Sequence, residues 1–125
     1  MTYPRHANHN QHSRKSQQIA WKKIKSDPDR LKADRLRRRG YDLMRNFGIT
    51  LEQYNELLEH QNDKCGICGI DIQEVLEERT FAVDHSHTTG EVRGLLCMLC
   101  NTGLGKFKDD PDLLVKAIVW LTKSK

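Results

Sequence analysis

The sequence predicts a small α+β fold in which helices flank a β-hairpin over a structural zinc site. Three observations predict it. Four cysteines stand in two CxxC pairs, Cys65/Cys68 and Cys97/Cys100. Phe81 and Val83 alternate with Ala82 and Asp84 as in a half-buried strand, and Val92 to Leu96 can supply its partner across a polar loop. Helix-start signals at Asp27-Pro28, Thr50-x-x-Gln53 and Asp110-Pro111 place helices on both sides of the hairpin.

The cysteines carry the strongest signal. Four thiolates make a closed tetrahedral zinc site with no room for a substrate, so such a site can only hold the fold. The competing reading is a pair of disulfides in a secreted domain. The N-terminus, Met1-Thr2-Tyr3-Pro4-Arg5-His6, has no apolar stretch ahead of a cleavage site, so a reducing compartment is expected, where paired CxxC motifs read as metal ligands. A lone CxxC would leave a redox role open, whereas two pairs with 28 residues between Cys68 and Cys97 point to zinc.

Length bounds the 125 residues to one compact domain with extensions. Charge divides them. Residues 1–40 hold 12 Lys/Arg against three Asp, a formal +9, while residues 41–125 hold nine against 14 acids, a formal −5. A basic arm on an acidic unit suggests a polyanionic partner, with DNA or RNA preferred. No apolar run approaches the ~20 residues that cross a bilayer, so no membrane partner is expected.

The first dozen residues are polar and expected to be disordered; His6, His9 and His12 recur every third residue but read as solvated rather than chelating. From Ser13 the pattern turns helical, with Ile19, Trp21 and Ile24 among Lys22, Lys23 and Lys25. Asp27 then caps a second helix, opened by Pro28 and ending at Gly48, with Gly40 a candidate kink. Arg35, Arg37, Arg38 and Arg39 spread round that helix with few acids nearby. Together with Lys22 and Lys23 they are candidates for phosphate contact, preferred here over a solvated face.

Thr50-x-x-Gln53 is a capping box, with Ile49 placed to staple against Tyr54, and Leu51, Tyr54, Leu57 and Leu58 form one apolar stripe. This helix braces the zinc unit. Cys65-Gly66-Ile67-Cys68-Gly69 is a zinc knuckle whose glycines allow the tight turn, and residues 71–80 are acidic and turn-like or briefly helical. A helix is expected from Asn101, weakened by Gly103 and Gly105, and a last helix after Asp110-Pro111 with Leu114, Ala117, Ile118 and Leu121 facing inward.

Between the cysteine pairs runs Val83-Asp84-His85-Ser86-His87, and Asn101 follows the last cysteine directly. Asp and Asn offer oxygen ligands suited to a hard cation, and histidine moves protons near neutral pH. Neighbouring residues on a strand point to opposite sides, so Asp84 and His85 can serve one site only if the strand ends or bends there. The plain structural alternative is a hydrogen-bonded shell steadying the zinc cysteines.

Cys65-Gly66-Ile67-Cys68, followed by Val83-Asp84-His85-Ser86-His87-Thr88-Thr89-Gly90-Glu91-Val92-Arg93-Gly94-Leu95-Leu96-Cys97-Met98-Leu99-Cys100-Asn101-Thr102-Gly103-Leu104-Gly105, resembles the phage recombination endonuclease VII family, a branch of the HNH nucleases. The resemblance covers about residues 45–121 and implies a ββα-metal, treble-clef-like core with structural zinc, flanked by N-terminal helices and one C-terminal helix. It implies an endonuclease VII-like domain over 41–125, and the charge split sets before it a basic, partly disordered and helical nucleic-acid-binding arm over 1–40.

Carried over by residue, it makes Cys65, Cys68, Cys97 and Cys100 the Zn²⁺ cage, Asp84 and Asn101 the ligands of a catalytic Mg²⁺ or Mn²⁺, and His85 the general base. His87 would sit near the scissile phosphate or the metal. Arg93 would clamp the phosphate or form a structural salt bridge. The reaction implied is hydrolysis of a DNA phosphodiester to 5′-phosphate and 3′-hydroxyl ends, in the bacterial host cytoplasm, with a homodimer left open. Where some relatives bear an acidic or histidine side chain one turn after the metal-binding Asn, this chain has Leu104-Gly105-Lys106, so a third protein ligand is not expected. A long C-terminal extension is also lacking, which favours a nicking or cutting HNH endonuclease over a dedicated Holliday junction resolvase. The rival from another class is a non-catalytic zinc module that reads nucleic acid.

Overall fold

The computed structural model describes residues 9–75 and 80–123, with side chains from Ser13 onward. The order is α1 (His9–Lys25), α2 (Pro28–Phe47), α3 (Leu51–His60), a 3₁₀ turn (Ile72–Glu74), β1 (Ala82–His85), β2 (Val92–Leu96), α4 (Met98–Lys106) and α5 (Pro111–Thr122). This is the small α+β architecture expected: helices around one antiparallel two-stranded sheet. His6 and the side chains of His9 and His12 lie outside the described residues. The backbone is already helical at His9, ahead of the expected start at Ser13.

Local chemistry sets the helix ends as the sequence indicated. Asp27 accepts from the N–H groups of Asp29 and Arg30, Asp110 from those of Asp112 and Leu113, and a proline follows each cap. Thr50 and Gln53 complete the capping box in both directions, at 3.1 and 2.8 Å. Gly48 ends α2 at φ +67°, the left-handed turn that glycine adopts without a Cβ clash. Gly40 does not break α2, which runs unbroken to Phe47.

The buried core is small: Leu43 of α2, Tyr54 of α3, Phe81, Val83, Leu95 and Leu96 of the hairpin region, and the cysteines Cys65 and Cys97. Tyr54 fixes α3 to the hairpin by donating its hydroxyl to the Phe81 carbonyl at 2.9 Å. Burial raises the Tyr54 phenol above its ordinary value, so it stays a donor.

Gln61, just past α3, works as a short strand against β2. Its Nε2 donates to the Leu95 carbonyl at 2.8 Å, and its Oε1 accepts the Leu95 N–H at 2.8 Å. The approach needs Gly94, since a Cβ there would sit 2.9 Å from Gln61 Oε1 and the φ is +156°.

The last helix departs from expectation. Leu113, Leu114 and Ala117 are half-buried, but Ile118 and Leu121 are exposed, as are Val115, Val119 and Trp120. The apolar spacing is helical, yet no other described element covers that face.

Gln61→Ala removes the acceptor of the Leu95 N–H beside a side chain that is 0% exposed. The expected cost is about 1–3 kcal/mol, read as a lowered urea midpoint at unchanged zinc content.

Candidate functional site

Two neighbouring centres form the site. The first is the cysteine cage. Cys65 and Cys68 sit on a tight knuckle, where the Cys65 N–H bonds the Ile70 carbonyl and the Gly69 N–H returns to the Cys65 carbonyl. Cys97 is the N-cap of α4 and Cys100 lies in its first turn. The four sulfurs lie within 4.8 Å of one another. Cys68 and Cys97 are 3.7 Å apart, where a tetrahedral ion with bonds of about 2.3 Å sets its sulfurs roughly 3.8 Å apart. All four cysteines are free.

Electrostatics give the cage its need for a cation. Burial disfavours the Cys65 thiolate, but N–H groups of Cys97, Ile67 and Cys68 outweigh it and bring the thiol down to about 6. Burial, reinforced by the other three cysteines, pushes Cys100 up to about 12. Four mutually repelling thiolates therefore cannot coexist at neutral pH without a positive charge among them. The cage can bind a structural metal such as zinc.

The second centre is a cleft of about 670 Å³ between α2, the hairpin and α4, lined by Asp84, His85, His87 and Asn101 together. The hairpin pairs Asp84 with Gly94 but His85 with Val92, so the register slips between Asp84 and His85 and Arg93 is the extra residue. The bulged strand is β2, and Ala82, Val83, Asp84 and His85 of β1 line the cleft in succession as the strand ends. Asn101 arrives from α4 directly after the cage, with its N–H on the Cys97 carbonyl.

The histidines form a short stack. The His85 ring packs edge-on against Phe47 at 5.3 Å between centroids and lies 5.0 Å from His87. His87 Nε2 is 2.9 Å from Asp109 Oδ2.

Arg93 takes the salt-bridge alternative: its Nε and Nη2 donate to the two Asp84 carboxylate oxygens at 2.7 and 3.0 Å. The hydrogen bond to Asp84 raises the Arg93 guanidinium above its ordinary value, and the charges of Asp84 and Asp109 add to this.

The basic run on α2 is more engaged than the sequence suggested. Arg37 and Arg38 both pair with the buried Asp34 carboxylate, at 2.8 and 2.7 Å, and Arg38 also lies over the Trp21 ring. Charge counting includes Asp34 but not its place one turn before these arginines, and the Arg37 hydrogen bond, with help from Arg38, holds its carboxyl below the usual range. Arg39 stacks on Tyr54 and donates to Thr80. Arg35, Arg38 and Arg39 nevertheless line the cleft, while Lys22 and Lys23 stand exposed on α1 and do not.

Sequence reasoning missed Asp109, along with Phe47 and Asp42 of the cleft wall. Asp109 sits in a left-handed turn whose neighbour Asp110 carries the visible capping signal. Nothing local marked it.

A small α+β domain with a four-cysteine cluster able to hold a metal, beside a histidine-bearing cleft, is the class these features define. The model of one family, recombination endonuclease VII, matches residues 40–123, and the chain belongs to that family. It is similar to the Gene 59 protein of Mycobacterium phage D29, 39% identical over 82 residues, which is 65% of this chain and 48% of that protein. The Gene 59 protein of Mycobacterium phage L5 is 36% identical over 80 residues, 63% of this chain and 47% of its own length. The chain thus spans about half the length of the curated relatives it matches. No solved structure matches it.

X-ray absorption at the zinc edge of purified protein should show one ion per chain with four sulfur neighbours at about 2.3 Å. Two disulfides and no zinc in protein made under reducing conditions would contradict the cage.

Proposed function

We propose that this chain is a metal-dependent DNA endonuclease of the HNH, ββα-metal type, encoded by a phage and acting in the cytoplasm of its bacterial host. The observation that supports it most is the single cleft in which Asp84, His85, His87 and Asn101 meet. Family membership and the phage relatives support the same reading.

The oxygen donors Asp84 and Asn101 suit Mg²⁺ or Mn²⁺, and Asp84 already holds a positive partner in Arg93. A divalent cation would compete with Arg93 for those two oxygens. When bound, it would polarise the phosphate and offset the charge of the departing oxygen. Neutral His85 takes a proton from the attacking water. The water oxygen bonds to phosphorus as the bond to the 3′-oxygen breaks, and that oxygen leaves as a hydroxyl after gaining a proton. Phe47 holds the His85 ring edge-on, which limits its orientations.

Residues 1–40 are the proposed nucleic-acid-binding arm and 41–125 the nuclease domain. Because α2 spans that boundary, the arm leads into the arginine-bearing wall of the cleft. The proposed assembly, should a second copy bind, is a homodimer covering the exposed apolar residues of α5. The role proposed is in phage recombination.

A second reading has one observation in its favour. Arg93 grips Asp84 with both nitrogens, as a purely structural pair would, and a non-catalytic zinc module would need no more. Nicking of supercoiled plasmid separates the two. The nuclease reading expects Mg²⁺- or Mn²⁺-dependent nicks, abolished by Asp84→Ala and Asn101→Ala with zinc retained, and a loss of about 10²–10⁴ in rate for His85→Ala. Wild-type protein that binds DNA and nicks none, or substitutions that strip zinc along with activity, would support the module.

Binding should depend on salt. Replacing Arg35, Lys22 and Lys23 by alanine should flatten the slope of log affinity against log salt by about 0.9 for each DNA phosphate that is no longer neutralised. An unchanged slope would mean that these side chains neutralise no phosphate.

A further inference from the structure

α4 brings the Asn101 amide to the cleft but no carboxylate, for its next turn is Leu104-Gly105-Lys106. The turn after it does. Lys108 and Asp109 both hold positive φ, at 58° and 52°, without a glycine between them. Consecutive left-handed residues of this kind are uncommon and strained. The surrounding bonds impose them: the Asp109 N–H reaches the Leu104 carbonyl at 2.9 Å and the Asp110 N–H the Phe107 carbonyl at 3.0 Å, while Asp110 caps α5.

The result aims Asp109 at His87. His87 belongs to the polar loop, which is closed independently by the Ser86 N–H on the Glu91 carbonyl at 2.8 Å and the Gly90 N–H on the Ser86 carbonyl at 2.7 Å. An ion pair at such an exposed site adds little stability, since the His87 side chain is 73% exposed. Asn62 and Asp63 after α3 form the same kind of turn, so the turn itself ends a helix, and what is particular here is that it sets a carboxylate on His87. A carboxylate on Nε2 does fix the tautomer and plane of an imidazole that would otherwise turn freely in solvent.

We propose that Asp109 is a positioning residue of the cleft, holding His87 by its Nε2–H so that the ring, when it carries a second proton, gives its Nδ1–H to a phosphate of bound DNA beside His85. This rests on the nuclease reading. Arg93 and Lys108 are the cations on its side of the cleft, with Asp84 the other carboxylate, and His85 stacks on the far face of the pair.

The test combines ¹⁵N spectra of the imidazoles in zinc-loaded protein with single-turnover nicking. His87 should show the Nε2–H form in wild type and a tautomer mixture in Asp109→Ala. The nicking rate of Asp109→Ala should fall roughly 10–100-fold at unchanged DNA affinity. The double variant Asp109→Ala/His87→Ala should be no slower than His87→Ala alone, and Asp109→Glu should recover part of the rate. An unchanged His87 spectrum in Asp109→Ala, or rate losses that multiply in the double variant, would overturn the assignment. Wild-type protein that never nicks overturns the nuclease reading and with it the phosphate contact, while the spectrum still decides whether Asp109 holds His87.

Discussion

Mutual repulsion among four sulfurs packed within 4.8 Å is the constraint on which the rest of this structure depends. As thiolates they could share that space around a cation, and each pair of sulfurs ties down a different part of the fold. The knuckle of Cys65 and Cys68 is stitched to β2 by the Gly66 N–H on the Leu95 carbonyl. Cys97 and Cys100 end the hairpin and begin α4, which places Asn101 one residue beyond the cage. Two of the buried core residues belong to the cysteine cluster, so in a domain with so little apolar interior a metal bound there would add directly to folding stability.

The cleft is built from what the cage fixes. The hairpin end, the first turn of α4 and the C-terminal half of α2 converge there. Charges in and around it are mostly paired: Asp84 with Arg93, His87 with Asp109, and Asp34 with Arg37 and Arg38.

Much of this was legible in the sequence because it is local. Caps at Asp27, Thr50 and Asp110 act over two or three residues, and alternation around Val83 and Leu95 needs only the pleat. The need for a bend at Asp84 and His85 was readable from strand geometry. What makes the bend was not, because Gly94 and Gln61 meet across 33 positions of sequence. Arg37 and Arg38 were read as phosphate contacts because charge counting ignores that Asp34 lies three and four residues earlier on the same helix. The spacing in α5 shows an apolar stripe but cannot say whether anything covers it. Asp109 left no trace, since aspartate in a left-handed turn has no periodic signature.

The central claim is that one metal cage holds the hairpin and its cleft in place. Amide spectra of the protein before and after zinc is stripped by a strong chelator test it most directly. Resonances of Val83, Asp84, Leu95 and Asn101 should collapse toward unfolded positions on stripping and return with added zinc, while amides of α1 change least. A hairpin whose amides stay dispersed and protected without zinc would contradict the account.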